Sequence, residues 1–292
     1  MRYLLALSRA GAFAGAARSL KVDESTVRRK LASLELELGA RLLDRRAGRL
    51  ALTEAGRDVV AQAAQLDDSI RKLERKVAGS DERTEGRVVL AGEELIVGSL
   101  VVPLLPQLRA TCPGVDLELR INNEVPDLVH GEADVAVLLC RASEATLVER
   151  RVGTMAYAVY AAPGFLDRRQ PGAHHHGLDG MDLVTLDASV ASGPEMEWLR
   201  QHAPHSRVVV RTNSRHSLVE ATHAGLGAAA LGCVFAEMSP GLVRLVPPCE
   251  LPPRDVWLVV HPDLQHTRRV RKVLSFLAEA FAQLQPRLNG RA

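Results

Sequence analysis

Aromatic side chains make up only 3% of the 292 residues, too few for the stacking platforms with which proteins hold single-stranded nucleic acid. Cysteine is equally sparse: Cys112, Cys140, Cys233 and Cys249 lie far apart, with no Cys-x-x-Cys pair. Such spacing argues against a disulfide framework or a zinc site and fits reduced thiols in a cytoplasm. No apolar run approaches the roughly 18–20 residues that a membrane span needs. The start, MRYLLALSRAGAFAGAA, breaks its apolar stretch at Ser8-Arg9, short of the ~7–15 residues of a secretory core. Net charge is nearly absent as well, 37 basic against 35 acidic side chains, so the average gives no reason to expect a polyanionic partner.

Catalytic and cofactor signatures are also missing. No Ser, Cys or His stands with a base and an orienting acid in a recognisable motif, so an enzyme is not expected. His174, His175 and His176 form a run, but in a Pro- and Gly-flanked loop without Cys or carboxylate at ligand spacing, so no metal is expected there. AGLGAAALG has the glycines of a loose nucleotide fingerprint. It follows a helix and precedes a strand, the reverse of a dinucleotide site, and reads as a helix cap and a buried strand. What the sequence does have is 47% apolar residues and a length suited to two or three domains.

The small charge hides a division. Residues 1–58 hold 12 Lys or Arg and 7 Asp or Glu, a net +5, while residues 59–292 hold 25 and 28, a net −3. A basic head on a mildly acidic body is the asymmetry expected when one domain must approach a phosphate backbone. A solvated basic face would give the same count.

Within the head, Ala14–Leu20 reads as a short helix, Lys21–Asp23 as a turn and Glu24–Leu38 as a second helix that Asp23 can cap. Val27, Leu31, Leu34 and Leu38 recur at spacings of 4, 3 and 4, one apolar stripe. Ser25, Arg29, Ala32 and Ser33 then point away from the core, with Thr26 and Arg28 on the flanks. Such a face suits a DNA major groove, where a guanidinium bonds a guanine edge or a phosphate. Arg41–Leu43 and Leu50–Leu52 can pair as strands around a tip holding Arg45, Arg46 and Arg49, a wing able to follow phosphates. Thr53 caps a further helix running to about Ala78, with Val59, Ala63, Leu66, Ile70, Leu73 and Val77 at spacings of 4, 3, 4, 3 and 4. That seam predicts a coiled coil between two subunits.

The run AGAFAGAARSLKVDESTVRRKLASLELELGARLLDRRAGRLALTEAG resembles the N-terminal domain of LysR-type transcriptional regulators. GAFAGAARSL, LELELGARLLDR and LTEAG are its most specific pieces, and the similarity extends over nearly the whole chain. The resemblance implies DNA contacts from Glu24, Ser25, Arg28 and Arg29 on the recognition helix and Arg45, Arg46 and Arg49 on the wing; Thr26 and Lys30 adjoin them. It also implies double-stranded DNA, a small-molecule effector and RNA polymerase as partners, a homodimer or homotetramer, and a bacterial cytoplasmic location. Two departures stand out: Arg28 where many members have Ser, and Glu24 where Gln or His is common. An acid there repels phosphate but can accept from a cytosine amine, which implies an unusual operator preference. The chain also begins about half a dozen residues later than is common, implying a short first helix and either a start further upstream or a less stable head.

Beyond the polar stretch Asp81–Gly86, strands alternate with helices. Strands are predicted at Arg87–Ala91, Val115–Ile121, Asp134–Leu139 and Val152–Ala162, and helices at Leu95–Ala110 and Val125–Gly131. Asp182–Leu186, Val208–Thr212, Ala228–Leu231, Leu242–Val246 and Asp255–Val260 supply the strands of a second unit, and a helix over Thr267–Leu284 closes the chain. The fold class expected is α/β with an N-terminal all-α winged helix-turn-helix, a long linker helix and two Rossmann-like lobes of periplasmic-binding-protein type. Domains are expected at 1–58 (DNA-binding), 53–79 (linker and dimerisation), 87–161 plus 264–292 (first lobe) and 162–263 (second lobe), with crossings near Tyr160–Pro163 and His261–Asp263.

Ligands of such sheets sit beyond the carboxyl ends of the strands. Those positions are Gly92, Glu93, Glu94 and Leu95, then Asn122 and Asn123, then Cys140 and Arg141, and in the other lobe Asn213 and Ser214. The two glutamates would repel an anion unless they face outward or pair with Arg141. They point to a small polar ligand with a cationic or amine group, or else serve as helix-start residues favoured by the dipole. The rival to a regulator is an α/β binding or enzymatic module whose head makes protein contacts only.

Overall fold

The computed structural model describes residues 1–46, 49–79, 83–121, 125–168, 177–187, 190 and 193–290. Two compact units emerge, Met1–Arg75 and Lys76–Ala292.

The first unit opens with α1 (Arg2–Ala10), which ends at Gly11 in the left-handed region, φ 66°. Next come α2 (Phe13–Leu20) and α3 (Glu24–Leu38). Between them Lys21 is left-handed at φ 55°, making the sharp turn without a glycine. Asp23 occupies the N-cap of α3 through its backbone, its carbonyl accepting from Thr26 and Val27; its side chain makes no cap bond, contrary to expectation. Leu4, Leu7, Ala16, Ala17, Val27, Leu31 and Leu42 form the core. The helix α3 outruns that core, so Leu38 is exposed rather than packed, and Leu36 is 87% exposed.

The hairpin β1 (Leu43–Arg46) and β2 (Arg49–Leu52) pairs Leu43 with Leu52 and Arg46 with Arg49. The first strand thus starts two residues later than the sequence reading, and the basic positions lie on the strands themselves. Glu35 sets that start: its carboxylate accepts from the Leu42 and Leu43 amides at 2.6 and 3.1 Å. The long helix α4 (Glu54–Gly79) is capped by Thr53, whose Oγ1 accepts from the Gly56 amide at 2.9 Å and donates to the Arg41 carbonyl at 2.6 Å. At Gly56 a Cβ would stand 2.1 Å from the Leu42 carbonyl oxygen, so the glycine lets α4 press on the start of the wing.

The second unit contains β3 (Gly86–Gly92) and α5 (Glu94–Ile96), a π-turn at Val97–Val101, a 3-10 turn at Val102–Leu104 and α6 (Leu105–Thr111). One continuous helix was expected over this stretch. Pro103 and Pro106 lack the amides that would continue the ladder, and the helix breaks into these pieces. Then follow β4 (Val115–Ile121), β5 (Val135–Leu138), β6 (Val148–Met155), β7 (Tyr157–Ala161) and α7 (Pro163–Asp167). Where a helix was expected at Val125–Gly131 there are turns, because the Asp127 carboxylate accepts from the His130 amide and Gly131 adopts φ 74°. The chain continues through β8 (Asp182–Leu186), α8 (Pro194–His202), β9 (Arg207–Thr212), α9 (Arg215–His223), β10 (Ala229–Gly232), α10 (Cys233–Glu237), β11 (Val243–Val246), β12 (Arg254–Val260) and α11 (Arg268–Leu288).

These strands build two sheets of matching design. The first has the order β4-β3-β5-β12-β6, with β3 parallel to both β4 and β5 and β12 antiparallel to β5 and β6. The second joins β10-β7-β11 to the parallel pair β8-β9 through the bridge between Leu183 and Ala228. The strand β12 therefore belongs to the first lobe, and the expected boundaries 87–161 plus 264–292 and 162–263 need correction. Tyr157–Ala161 lies in the second lobe's sheet and Arg254–Val260 in the first's. The crossings are Ala156 and the Pro-rich segment 247–253, not Tyr160–Pro163 and His261–Asp263. The apolar run Val152–Ala162 read as one strand because the change of sheet at Ala156 alters backbone direction without altering composition. Ala156 is held on both sides, its amide donating to Leu288 and its carbonyl accepting from Cys233. No helix among the described residues is long and apolar enough to cross a membrane.

Replacing Gly56 by Ala should loosen the head by roughly 1–3 kcal/mol, the ordinary cost of forcing a methyl into a packed contact. Amide exchange of the intact chain should accelerate across Arg41–Arg57 and remain unchanged in residues 86–290; equal protection in both proteins would refute the packing argument.

Candidate functional site

The exposed side of α3 carries Ser25, Arg29 and Lys30, with Thr26 half-buried beside them. Arg28 is drawn aside: its guanidinium lies 3.9 Å above the Phe13 ring and 3.4 Å from the Glu24 carboxylate one turn earlier. The acid at position 24 is thereby partnered within the helix, which lowers its repulsion of phosphate. Arg45, Arg46 and Arg49 lie on β1 and β2, but their side chains fall outside the described residues.

On α4 the expected seam divides. Val59 packs against the head's own core and Ala63 is buried. Leu66, Ile70 and Leu73 are 60%, 57% and 63% exposed, a row of large apolar side chains one turn apart. The side chain of Val77 falls outside the described residues.

In the body the strand ends converge on a cluster of buried charge between the lobes. Glu93 follows β3, and its Oε1 lies 2.7 Å from Nε of Arg215, the first residue of α9 in the opposite lobe. Those two atoms are not aligned as a hydrogen bond. Glu195 on α8 is fully buried, and its Oε1 meets Nη1 of Arg215 at 3.3 Å and Nη1 of Arg254, the first residue of β12, at 3.2 Å. Arg254 also donates through Nε to the Leu139 carbonyl at 3.1 Å. The carboxylate of Glu195 folds back over the start of its helix, where a Cβ on Gly193 would stand 2.0 Å from Oε2. Tyr157 lies alongside with its hydroxyl buried and unpartnered, as is Glu195 Oε2.

Burial pushes the Glu93 carboxyl above its ordinary value, against the pull of Arg215 and Arg254. Burial likewise moves the Tyr157 hydroxyl up to about 12. It works against the charge of Arg215 too, but Tyr157, Glu93 and Glu195 outweigh it, and the guanidinium stays firmly protonated.

The other expected ligand positions scatter around this cluster. Gly92 is buried at the end of β3 and offers only backbone, and Leu95 is buried. Glu94 is exposed and accepts from Ser214 Oγ across the cleft at 3.5 Å. Cys140 is half-buried, and burial raises its thiol. Arg141 does not meet Glu93: it pairs with Glu149 at 3.0 Å and lies over the Trp257 ring. Asn213 is exposed, and Ser214 caps α9 by accepting from Ser217. Asn122, Asn123 and the run His174–His176 lie outside the described residues. Tyr157, Glu195, Arg215 and Arg254 were not anticipated; the one local signal was Gly193-Pro194-Glu195, an acid placed in the first turn of a helix.

Beside Tyr157 and Arg215 the lobes leave a pocket of about 10 Å³, room for roughly one water. A larger hollow of about 520 Å³ lies under β8, β9 and α8, lined by Leu183, Met196 and Leu199 among others. Its lining includes none of the four charged residues of the cluster. Among the described residues no group of His, Cys, Asp and Glu could hold a metal ion.

Comparison with known proteins gives this arrangement a context. Residues 1–57 match the family model "Bacterial regulatory helix-turn-helix protein, lysR family", and residues 81–282 match "LysR substrate binding domain". The chain belongs to the LysR family of transcriptional regulators. Among LysR-type relatives, the Mau operon transcriptional activator of Paracoccus denitrificans is 24% identical over 97% of this chain and 96% of its own. An HTH-type transcriptional regulator of Xanthomonas campestris is 32% identical, but over only 54% of this chain and 46% of its own length. The full-length virulence activator AphB of Vibrio cholerae has the same fold, with a TM-score of 0.64, 20% identity and coverage of 95% and 97% of the two chains. LysR-type proteins are DNA-binding transcriptional regulators with an effector-binding domain, not enzymes, and this chain is one of them.

Glu195→Ala should cost the body about 3–5 kcal/mol, because two buried guanidiniums lose the anion they share. Both tryptophans, Trp198 and Trp257, lie in the body, so their emission during urea unfolding reads its stability in the full chain. A loss below about 1 kcal/mol would mean that water satisfies those arginines.

Proposed function

We propose that this regulator reads a partially symmetric promoter site on double-stranded DNA in the cytoplasm, as a homodimer or homotetramer. RNA polymerase is a further partner, and a small molecule in the interlobe cleft modulates the whole. The observation that carries the reading is the exposed row Ser25, Arg29 and Lys30 on a helix whose other side holds Val27 and Leu31 in the core. In this reading α3 enters the major groove with Glu24, Ser25, Thr26, Arg28, Arg29 and Lys30, and the hairpin brings Arg45, Arg46 and Arg49 to adjoining phosphates.

Oligomerisation is supported by Leu66, Ile70 and Leu73, which a lone helix would leave in water. The effector reading draws on Glu93, Glu94, Leu95, Cys140, Arg141, Asn213 and Ser214, with Gly92, Asn122 and Asn123 at the same strand ends. An amine-bearing ligand loses its original support, since Arg215 neutralises Glu93 from across the cleft.

A gel shift on the chain's own upstream DNA tests the head. Arg29→Ala should lose about 1–3 kcal/mol at one base position, while Arg46→Ala should weaken all sequences alike and reduce the salt slope by about one. No binding at low salt, or no effect of either change, would defeat the proposal. Ile70→Asp should sediment as a smaller species than wild type and bind the promoter more weakly; unchanged sedimentation would remove the seam on α4.

A further inference from the structure

Two helices of the head meet through one arginine. Arg28, in the second turn of α3, holds its guanidinium 3.9 Å above the ring of Phe13, the first residue of α2. Its Nη2 stands 3.4 Å from Oε2 of Glu24, the first residue of α3. Phe13 in turn packs on the head's apolar core. An exposed glutamate–arginine pair by itself contributes little and leaves both long side chains free to swing. A guanidinium stacked on a fixed ring loses that freedom, and the acid paired with it is restrained in turn. Yet the side chains of Glu24 and Arg28 remain 46% and 51% exposed, so the carboxylate is held in place and still open to a partner outside the protein. Arg29 and Lys30, on the same helix, have no ion pair among the described residues.

We propose that Glu24 is a base-selecting acceptor on α3 and that Phe13 and Arg28 are its positioning residues, not contacts to DNA. The base follows from the chemistry of the pair. An ionised carboxylate can only accept, so in a major groove it needs an amino group. Guanine and thymine present acceptors there and repel it, and adenine sets its N7 acceptor beside the amine. Cytosine offers N4 as a donor with no acceptor of its own alongside, and is the base selected. Arg28 has a second effect, because its charge offsets the repulsion that an acid would meet from neighbouring phosphates. Arg29 and Lys30, free of such pairing, are left to bind the backbone. This inference rests on α3 being the helix that reads DNA.

Selection of binding sites from a random DNA pool by the full chain tests this, followed by gel shifts that compare the four bases at the selected position. Wild type should enrich cytosine at one position of each half-site and bind it roughly tenfold more tightly than the alternatives. Glu24→Gln should move the preference to adenine, whose N6 and N7 match an amide. Arg28→Met keeps a stem over Phe13 without the charge, and should flatten the cytosine preference to within about twofold. Arg28→Lys can still pair with Glu24 and lie over the ring, and should restore most of it. Each preference is a ratio of affinities measured on one protein, so partial unfolding of a variant does not alter it. If Glu24→Gln keeps the wild-type base, Glu24 does not read DNA. If Arg28→Met keeps full discrimination, Arg28 does not position Glu24, and a loss that Arg28→Lys fails to repair makes Arg28 a base contact instead. Each of these results overturns the inference and leaves the regulator standing, as does a wild type that binds DNA without selecting any sequence. A wild type that binds no DNA at low salt removes the regulator reading as well.

Discussion

Taking a guanidinium or a carboxylate out of water costs several kcal/mol, and only a counter-charge at contact distance offsets it. Between the lobes of this protein two of each are enclosed together, and Glu93 and Arg254 of the first lobe take their counter-charges from the second. Glu195 illustrates the dependence: one oxygen serves Arg215 of its own lobe and Arg254 of the other. The positions of α8, α9 and β12 are coupled through that oxygen, and Glu93 ties the end of β3 to the same Arg215. A lobe displaced by a few ångströms would have to hydrate the charges it uncovers.

The head obeys a different constraint, that of short elements with few core residues. A small apolar cluster around Leu4, Val27 and Leu31 holds it, and polar contacts at the joints do the positioning. Glu35 fixes where β1 begins, Thr53 ties the start of α4 to Arg41, and the bare backbone of Gly56 lets that helix lie against Leu42. The helix α3 is thereby held at a set angle to the hairpin. Arg28, stacked on Phe13 and paired with Glu24, belongs partly to this scaffold, which leaves Arg29 and Lys30 as the more available cations.

Much of this was legible in residue order, for local reasons. Strands Val115–Ile121 and Asp182–Leu186 and helix Glu24–Leu38 have the boundaries their periodicity indicates, because apolar spacing and flanking turn residues decide them within a few positions. The lobe boundaries were not legible, since Met155 and Tyr157 look alike in pattern while belonging to different sheets; the paired prolines at 247–248 and 252–253 were the available clue. The charge cluster was hidden for a related reason. Glu195 and Arg254 lie 59 positions apart, and nothing within a helical turn of either one announces the other. Sequence spacing located the strand ends where Glu93 sits, but only the folded chain supplies the cation that meets it.

The place of β12 has a bearing on how the protein is made. It is an inner strand, between β5 and β6, yet it is translated only after the entire second lobe. The first lobe therefore leaves the ribosome with a gap in its sheet and two unpaired strand edges, while the second lobe, contiguous in the chain, can condense at once. Vectorial synthesis thus favours a fixed order of events: the inserted lobe folds first, and the outer one waits for its last strand and for α11. The interval before that strand arrives is when nascent chains are most exposed to mispairing with one another.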